Sequence, residues 1–260
     1  MPIKWQKEIF ARAKKRGILA FSTPFDEQSV DLLEKMDVPC YKIASFENNH
    51  FPLLKKIAET KKPVIMSLGM LSLKEIYESV NYLKKHGTKE IALLKCTSVY
   101  PAKEEDLNLK SIQDLRKRFN CEVGFSDHTK DIYSSIAAVS LGATIIEKHF
   151  NLIENKKSLD SKFSITELEM KQLVVGCDMA QKSIGNIKYS LSKDEKISKK
   201  NKRSIYASKN IKKGEKFSEK NVSVVRPGYG LSPRFYFKII GKKSTKNIFF
   251  ADPIKKSHIC

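Results

Sequence analysis

The segment that decides the fold opens with Glu122-Val-Gly-Phe125 and continues through Ser126-Asp-His128 and the apolar-rich stretch Tyr133 to Leu141. It closes with Thr144-Ile-Ile-Glu147, and His149 stands just beyond. Both short apolar runs are strand-length and bounded by polar or turn residues. The stretch between them has the length and composition of a short helix. Strand, helix and strand in succession make one βα repeat with polar side chains at each strand's C-terminal end. Working outward, the pattern recurs: Ile18-Leu-Ala-Phe21, Tyr41-Lys-Ile-Ala44, Val64-Ile-Met-Ser67 and Ile91-Ala-Leu-Leu94 read as further strands. Asp26 to Lys35, Pro52 to Glu59, Ser72 to His86 and Leu107 to Arg118 read as helices. Ser72 followed three residues later by Glu75 is a capping-box signature.

Regular βα alternation argues for a parallel sheet covered by helices. Neither G-x-G-x-x-G nor G-x-x-x-x-G-K-[ST] follows a strand, so a nucleotide-binding open sheet loses its main support. Polar residues gather instead at strand ends: Ser22-Thr23, Ser45 with Glu47, Thr97-Ser98, Ser126-Asp-His128 and His149. In a (β/α)8 TIM barrel those ends converge on one face, and the α/β barrel is the preferred reading, with six strands visible. Ser164 to Ile184 reads as its last helix. The division expected is a partial barrel over 1–185, a basic linker over 186–200 and a small β-rich module over 201–260. The module's strands are expected at Ser204-Ile-Tyr-Ala-Ser208, Val222-Ser-Val-Val225 and Lys238-Ile-Ile-Gly241.

The chain has 260 residues, 41% of them hydrophobic, which suffices for a sizeable core and argues against disorder throughout. No apolar run reaches membrane-span length, and the start lacks the apolar region of a signal peptide. The five cysteines, Cys40, Cys96, Cys121, Cys177 and Cys260, form no C-x-x-C. A zinc ribbon or disulfide scaffold is therefore disfavoured, and a reducing cytoplasm fits. The formal charge of +20 raises nucleic acid as a partner. The lysines are dispersed and no aromatic-interleaved basic motif appears, so solvated helix faces are the preferred account. An anionic substrate drawn by the field is a second contributor.

His128 and His149 each end a strand, and the strands are consecutive. Two imidazoles at adjacent strand ends suit a shared divalent metal, or are satisfied by local hydrogen bonds. Asp160, just beyond, suits a ligand, a general base or a solvated turn. Ser126-Asp127-His128 is not a catalytic triad, because adjacent strand residues point to opposite faces. Lys42 lies inside an apolar strand. It is a Schiff-base nucleophile, an anion ligand or an edge-strand lysine in solvent. Glu47 and Glu147, near strand ends, either orient a ligand or are structural.

Taken together, several stretches resemble the sialic acid synthase family. They are Phe21-Ser-Thr-Pro-Phe-Asp26, Tyr41-Lys-Ile-Ala-Ser-Phe-Glu47, Ser67-Leu-Gly-Met70, Leu94-Lys-Cys-Thr-Ser-Val-Tyr-Pro101, Gly124-Phe-Ser-Asp-His-Thr129, Ile146-Glu-Lys-His-Phe150, Leu159-Asp-Ser-Lys-Phe-Ser164 and Val225-Arg-Pro-Gly-Tyr-Gly230. Lys42 to Glu47, Asp160 to Ser164 and Arg226 to Leu231 look most like the pseudaminic acid synthase branch. The resemblance implies a (β/α)8 barrel followed by an antifreeze-like (SAF) domain, and a chain that lacks about the first two barrel strands. It implies condensation of phosphoenolpyruvate with an N-acylated amino sugar, a 2,4-diacetamido-2,4,6-trideoxy hexose, to give a nonulosonic acid and phosphate. N-acetylneuraminate or legionaminate synthesis, or a non-catalytic remnant binding sugar or phosphate, are the alternatives.

By the same resemblance, His128 and His149 hold a divalent metal, Mn or Mg. Thr23, Lys42, Ser45, Ser98 and Ser126 hold phosphoenolpyruvate. Glu47, Tyr100 and Asp160 lie against the sugar, and Arg226 reaches its N-acyl group. A homodimer is implied, with the SAF domain of one subunit over its neighbour's barrel, and neither nucleic acid nor membrane as a partner. The stretch Glu154-Asn-Lys-Lys-Ser-Leu159 departs from the family's pattern, which implies a different local loop shape.

Overall fold

Strands buried on both faces of a parallel sheet need near-continuous apolar runs, and those runs are where the strands form. A computed structural model of the protein describes residues 3–152 and 158–260. Helix α1 (Ile3–Lys15) comes first, and α2 (Glu27–Lys35) follows, capped by the Asp26 side chain on the Ser29 amide. The βα alternation then runs β1 (Tyr41–Ile43), α3 (Phe51–Glu59), β2 (Val64–Ser67), α4 (Leu73–Lys85), β3 (Ile91–Cys96), α5 (Ser111–Phe119), β4 (Glu122–Asp127), α6 (Tyr133–Ser140), β5 (Ile146–Lys148) and α7 (Glu167–Ile184). The sheet order is β1-β2-β3-β4-β5, all parallel. Ser72 caps α4 with the reciprocal Ser72–Glu75 bonds of a capping box.

Two expectations are corrected here. Among the described residues the parallel sheet has five strands where six were expected. The run Ile18-Leu-Ala-Phe21 is not a strand: its neighbourhood contributes a single parallel bridge, Ser22 to Tyr41. Ile18 and Leu19 are exposed, so they bury no apolar face that would hold the run in the sheet.

Strand alternation sorts the sheet into two faces. Tyr41, Ile43, Val64, Met66, Leu93, Val123 and Phe125 face the helices and pack with Val30, Leu33, Leu53, Ile57 and Ile112 into one core. Lys42, Ser67, Cys96, Ser126 and Glu147 point the other way. Cys96, Ser126 and Glu147 are in register across β3, β4 and β5. The expected loop change over 154–159 lies outside the described residues as far as residue 157.

The chain divides into two compact units, Met1–Gly185 and Asn186–Cys260. The second contains α8 (Lys193–Ser198) and the antiparallel pair β6 (Ser204–Ala207) and β7 (Val222–Val225). Ile205, Phe217, Ile248 and Ile254 form its own core. The third expected strand, Lys238 to Gly241, is instead part of a short helix, α9 (Tyr236–Ile239). Pro233 starts a helical turn just before it, with its φ already set. Gly241, at φ 86°, follows the end of the helix in a left-handed conformation that suits glycine.

Candidate active site

The C-terminal ends of the five strands enclose a cleft of about 260 Å³ lined by Thr23, Lys42, Ser45, Ser67, Tyr100, Ser126, Glu147, His128 and His149, among others. Eight of the residues singled out from the sequence line this one cavity. Lys42 is only 6% exposed, which overturns its reading as a solvated edge lysine. Its Nζ donates to Ser67 Oγ at 2.8 Å and to the Ile43 carbonyl at 3.2 Å, and lies 3.3 Å from Glu147 Oε1. Ser126 Oγ donates to the same Glu147 oxygen at 2.7 Å. Three acceptors around one Nζ suit an ammonium ion better than a neutral amine nucleophile.

A second group of hydroxyls adjoins it. Ser45 Oγ accepts from the Gly69 amide at 3.2 Å and donates to Cys96 Sγ at 3.3 Å; Ser98 Oγ lies 3.5 Å from the same sulfur. A Cβ on Gly69 would collide with both serine hydroxyls, so only glycine leaves them room. Burial pushes the Cys96 thiol up, but its hydrogen bonds with His128, Ser45 and Ser98 outweigh burial and bring it down to about 7. Asn48, buried in the turn after β1, donates to the carbonyls of Ser67 and Gly69 at 3.2 and 3.0 Å and ties the two turns together. Glu47 sits in that turn but does not line the cleft. Its Oε2 is buried with no hydrogen-bond partner. Burial raises its carboxyl pKa, against the opposing pull of Lys42.

The opposite wall is aromatic. Tyr100 stacks on His128 at 4.2 Å between ring centroids and meets Phe163 edge-on at 5.2 Å. The His128 and His149 rings are 5.3 Å apart. His128 Nδ1 lies 3.0 Å from the Thr97 carbonyl. A carbonyl only accepts, so Nδ1 carries the proton and the Nε2 lone pair is left free. Burial disfavours the His128 cation, yet its bonds to Cys96 and Thr97 win and raise its pKa. Burial and the neighbouring His128 lower that of His149. His149 is therefore the more readily neutral of the two; its Nδ1 lies 3.7 Å from Asp160 Oδ2. Asp160 itself is largely exposed.

Two imidazoles with a nearby carboxylate are donors that intermediate divalent ions accept. The Thr97 carbonyl orients His128 as outer-shell partners of metal ligands do. The residues fit such an ion as a partial set. Among the described residues no group of three or more His, Cys, Asp or Glu side chains is gathered for a metal. The remaining positions would fall to water and substrate oxygens. Arg226 lies in the second unit, beside Arg203 and Lys202 in a separate cleft. Sequence reasoning missed Ser67, Asn48 and Cys96 as site residues. Ser67 ends β2 as Ser126 stands near the end of β4, a signal that was available; a turn asparagine carries none.

These features define a parallel βα protein whose strand ends gather a buried lysine and serine hydroxyls opposite an imidazole pair, joined to a second domain. The chain belongs to the NeuB family, whose pattern matches residues 1–189, with a SAF domain over 202–259. It is 45% identical over 257 residues to the pseudaminic acid synthase of Campylobacter jejuni subsp. jejuni serotype O:2, covering 98% of this chain and 74% of that one. It is 44% identical over 253 residues to the N,N'-diacetyllegionaminic acid synthase of the same strain, covering 95% and 75%. Its fold is similar to that of the N-acetylneuraminic acid synthetase of Leptospira borgpetersenii serovar Hardjo-bovis, with a TM-score of 0.71 and 33% identity over 76% of this chain and 69% of the other. No helix among the described residues is long and apolar enough to cross a membrane.

Proposed function

We propose that this protein condenses phosphoenolpyruvate with a 2,4-diacetamido-2,4,6-trideoxy hexose to form pseudaminic acid and phosphate. The observation that carries the proposal is the convergence of Lys42, Ser45, Ser67 and Ser126 in one cleft with His128 and His149. The first group suits a small dianion: one ammonium with hydroxyls around it. Lys42, Ser45, Ser126 and Thr23, with Ser98, hold the phosphate and carboxylate of phosphoenolpyruvate. Its methylene carbon forms a bond to the open-chain sugar's aldehyde carbon, and the aldehyde oxygen takes a proton. Water adds at the adjacent carbon and gives up one proton, matching that taken by the aldehyde oxygen; the tetrahedral carbon then collapses to the keto group as phosphate leaves with cleavage of its C–O bond, carrying the second proton. Glu47, in the turn after β1 and with its carboxyl pKa raised by burial, is the acid–base group once substrate is bound. Tyr100 and Asp160 flank the sugar. A divalent ion, Mn or Mg, held by His128 and His149 would supply Lewis-acid polarisation of the aldehyde.

In the same reading the sheet is part of a (β/α)8 barrel, residues 1–185 are its synthase body, 186–200 a linker and 201–260 the SAF domain. The working assembly is a homodimer in which Arg226 of one subunit meets the sugar bound by the other. The cytoplasm is where free thiols such as that of Cys96 persist.

A second reading has one observation in its favour. An apolar groove of about 1000 Å³, bordered by the exposed Ile18 and Phe21 and by Val174 of α7, lies beside the cleft. A chain with that groove open would bind phosphoenolpyruvate without turning it over. The test supplies phosphoenolpyruvate, Mn2+ and the diacetamido sugar and follows phosphate release, with His128→Ala as control. Sugar-dependent release that the control abolishes supports synthesis. Calorimetric binding of phosphoenolpyruvate without release supports the second reading, and the absence of both overturns the site.

A further inference from the structure

We propose that the buried Asp127–Lys148 ion pair is a positioning device that sets the spacing of the His128 and His149 imidazoles. The inference rests on reading those imidazoles as the ion-binding pair. Asp127 is the last residue of β4, Lys148 the last of β5, and the two are register partners. Their side chains are 0% and 1% exposed, with Lys148 Nζ 3.0 Å from Asp127 Oδ2. Alternation turns the Asp127 side chain away from the cleft, onto Ser135 of α6, while Ser126, His128, Glu147 and His149 line the cleft, which Lys148 borders as well.

The pair is fully bonded. Lys148 Nζ also donates to the Thr129 carbonyl at 2.7 Å and to Thr129 Oγ1 at 3.2 Å. Asp127 Oδ1 accepts from the Thr129 amide at 2.8 Å, and Oδ2 from Ser135 Oγ at 2.6 Å. Three ammonium donors and three carboxylate contacts are thereby satisfied, on a strand pair, one loop and one helix. His128 lies between Asp127 and Thr129, both of which the pair grips. His149 directly follows Lys148. The backbone on each side of His128, and that just before His149, is thus tied to one buried point.

A buried ion pair is a weak source of stability: an apolar pair of similar volume often serves the fold equally well. What an apolar pair lacks is a hold on the Thr129 amide and carbonyl. The double variant Asp127→Leu/Lys148→Met therefore separates positioning from stability. The first readout needs no metal: NMR of 15N-labelled histidines reports the His128 tautomer and the ring contact between His128 and His149. The unaltered protein is expected to show one Nδ1–H tautomer and the ring contact. The double variant should keep its far-UV signature, melt lower because the buried Thr129 amide and carbonyl lose their partners, lose the ring contact and average the tautomers. Its Mn2+ affinity, read by electron paramagnetic resonance, should fall about tenfold or more. Unchanged ring signals in a folded double variant overturn the proposal. Should that variant not fold, Ser135→Ala, which removes one carboxylate partner, decides the question: the same ring signals must shift, and no shift overturns it. Ring signals that respond as expected in a protein binding no Mn2+ would remove the ion-binding reading and leave the positioning role standing.

Discussion

Glu47 shows how a single carboxyl links stability to chemistry. Its Oε2 is buried without a partner, and burial raises its pKa above the ordinary 4.5. The folded state thus holds this proton more tightly than the unfolded chain does. The contribution to stability is most favourable below the unfolded value and is lost as pH rises through the raised folded value. Glu47→Gln removes that penalty. The variant should melt at a higher temperature than the unaltered protein at neutral pH, and the gap should close on acidification below about pH 4. Its turnover should fall about a hundredfold or more, the usual worth of an acid–base group. A lower melting temperature at neutral pH would sink the argument. Lys42 is buried and well bonded, to Ser67 and Glu147. Lys42→Met should weaken phosphoenolpyruvate binding about tenfold or more, which is ~1.4 kcal/mol, by titration calorimetry. Unchanged affinity would remove Lys42 from the anion site.

Elements differ in how much of them a sequence discloses. Tyr41–Ile43, Val64–Ser67, Ile91–Cys96 and Glu122–Asp127 were legible because strands buried on both faces are written as apolar runs with polar ends. The strand expected at Ile18 to Phe21 failed because pairing and burial belong to neighbours: Ile18 and Leu19 stay exposed, and only Ser22, just beyond the run, bridges to β1. Lys238 to Gly241 failed because Pro233, upstream, had already set a helical turn. Within the site, the histidines and Lys42 stood out because each breaks its local pattern. Asn48 and Ser67 did not, since an amide in a turn or a hydroxyl at a strand end breaks none. The turn after β2 provides the test at this scale. Gly69 admits the Ser45 and Ser98 hydroxyls together, and a methyl group there meets both. Gly69→Ala should displace the two serines and weaken phosphoenolpyruvate binding several-fold, with a smaller effect on melting. Binding equal to the unaltered protein's would mean that the two hydroxyls do not hold the anion.

At the scale of the whole molecule, two cores imply two cooperative units. One core is built on the parallel sheet, the other on Ile205, Phe217, Ile248 and Ile254, and the chain divides between them at Gly185. Domains with their own cores commonly unfold as separate transitions, so a single two-state treatment does not apply. Calorimetry should therefore resolve two endotherms. Ligand linkage then assigns them, because a ligand stabilises only the folded unit that binds it. Thr23, Lys42, Ser45, Ser67 and Ser126 all belong to the first unit. Phosphoenolpyruvate at a hundred times its dissociation constant contributes about 2.7 kcal/mol to that unit. It should raise one transition by a few degrees and leave the other in place. In Lys42→Met the shift should shrink at the same ligand concentration, while the second transition again stays fixed. A ligand shift confined to the smaller unit, Asn186–Cys260, would move the anion site to the cleft around Arg203 and Arg226. A shift of both transitions by equal amounts would mean that the two cores melt as one.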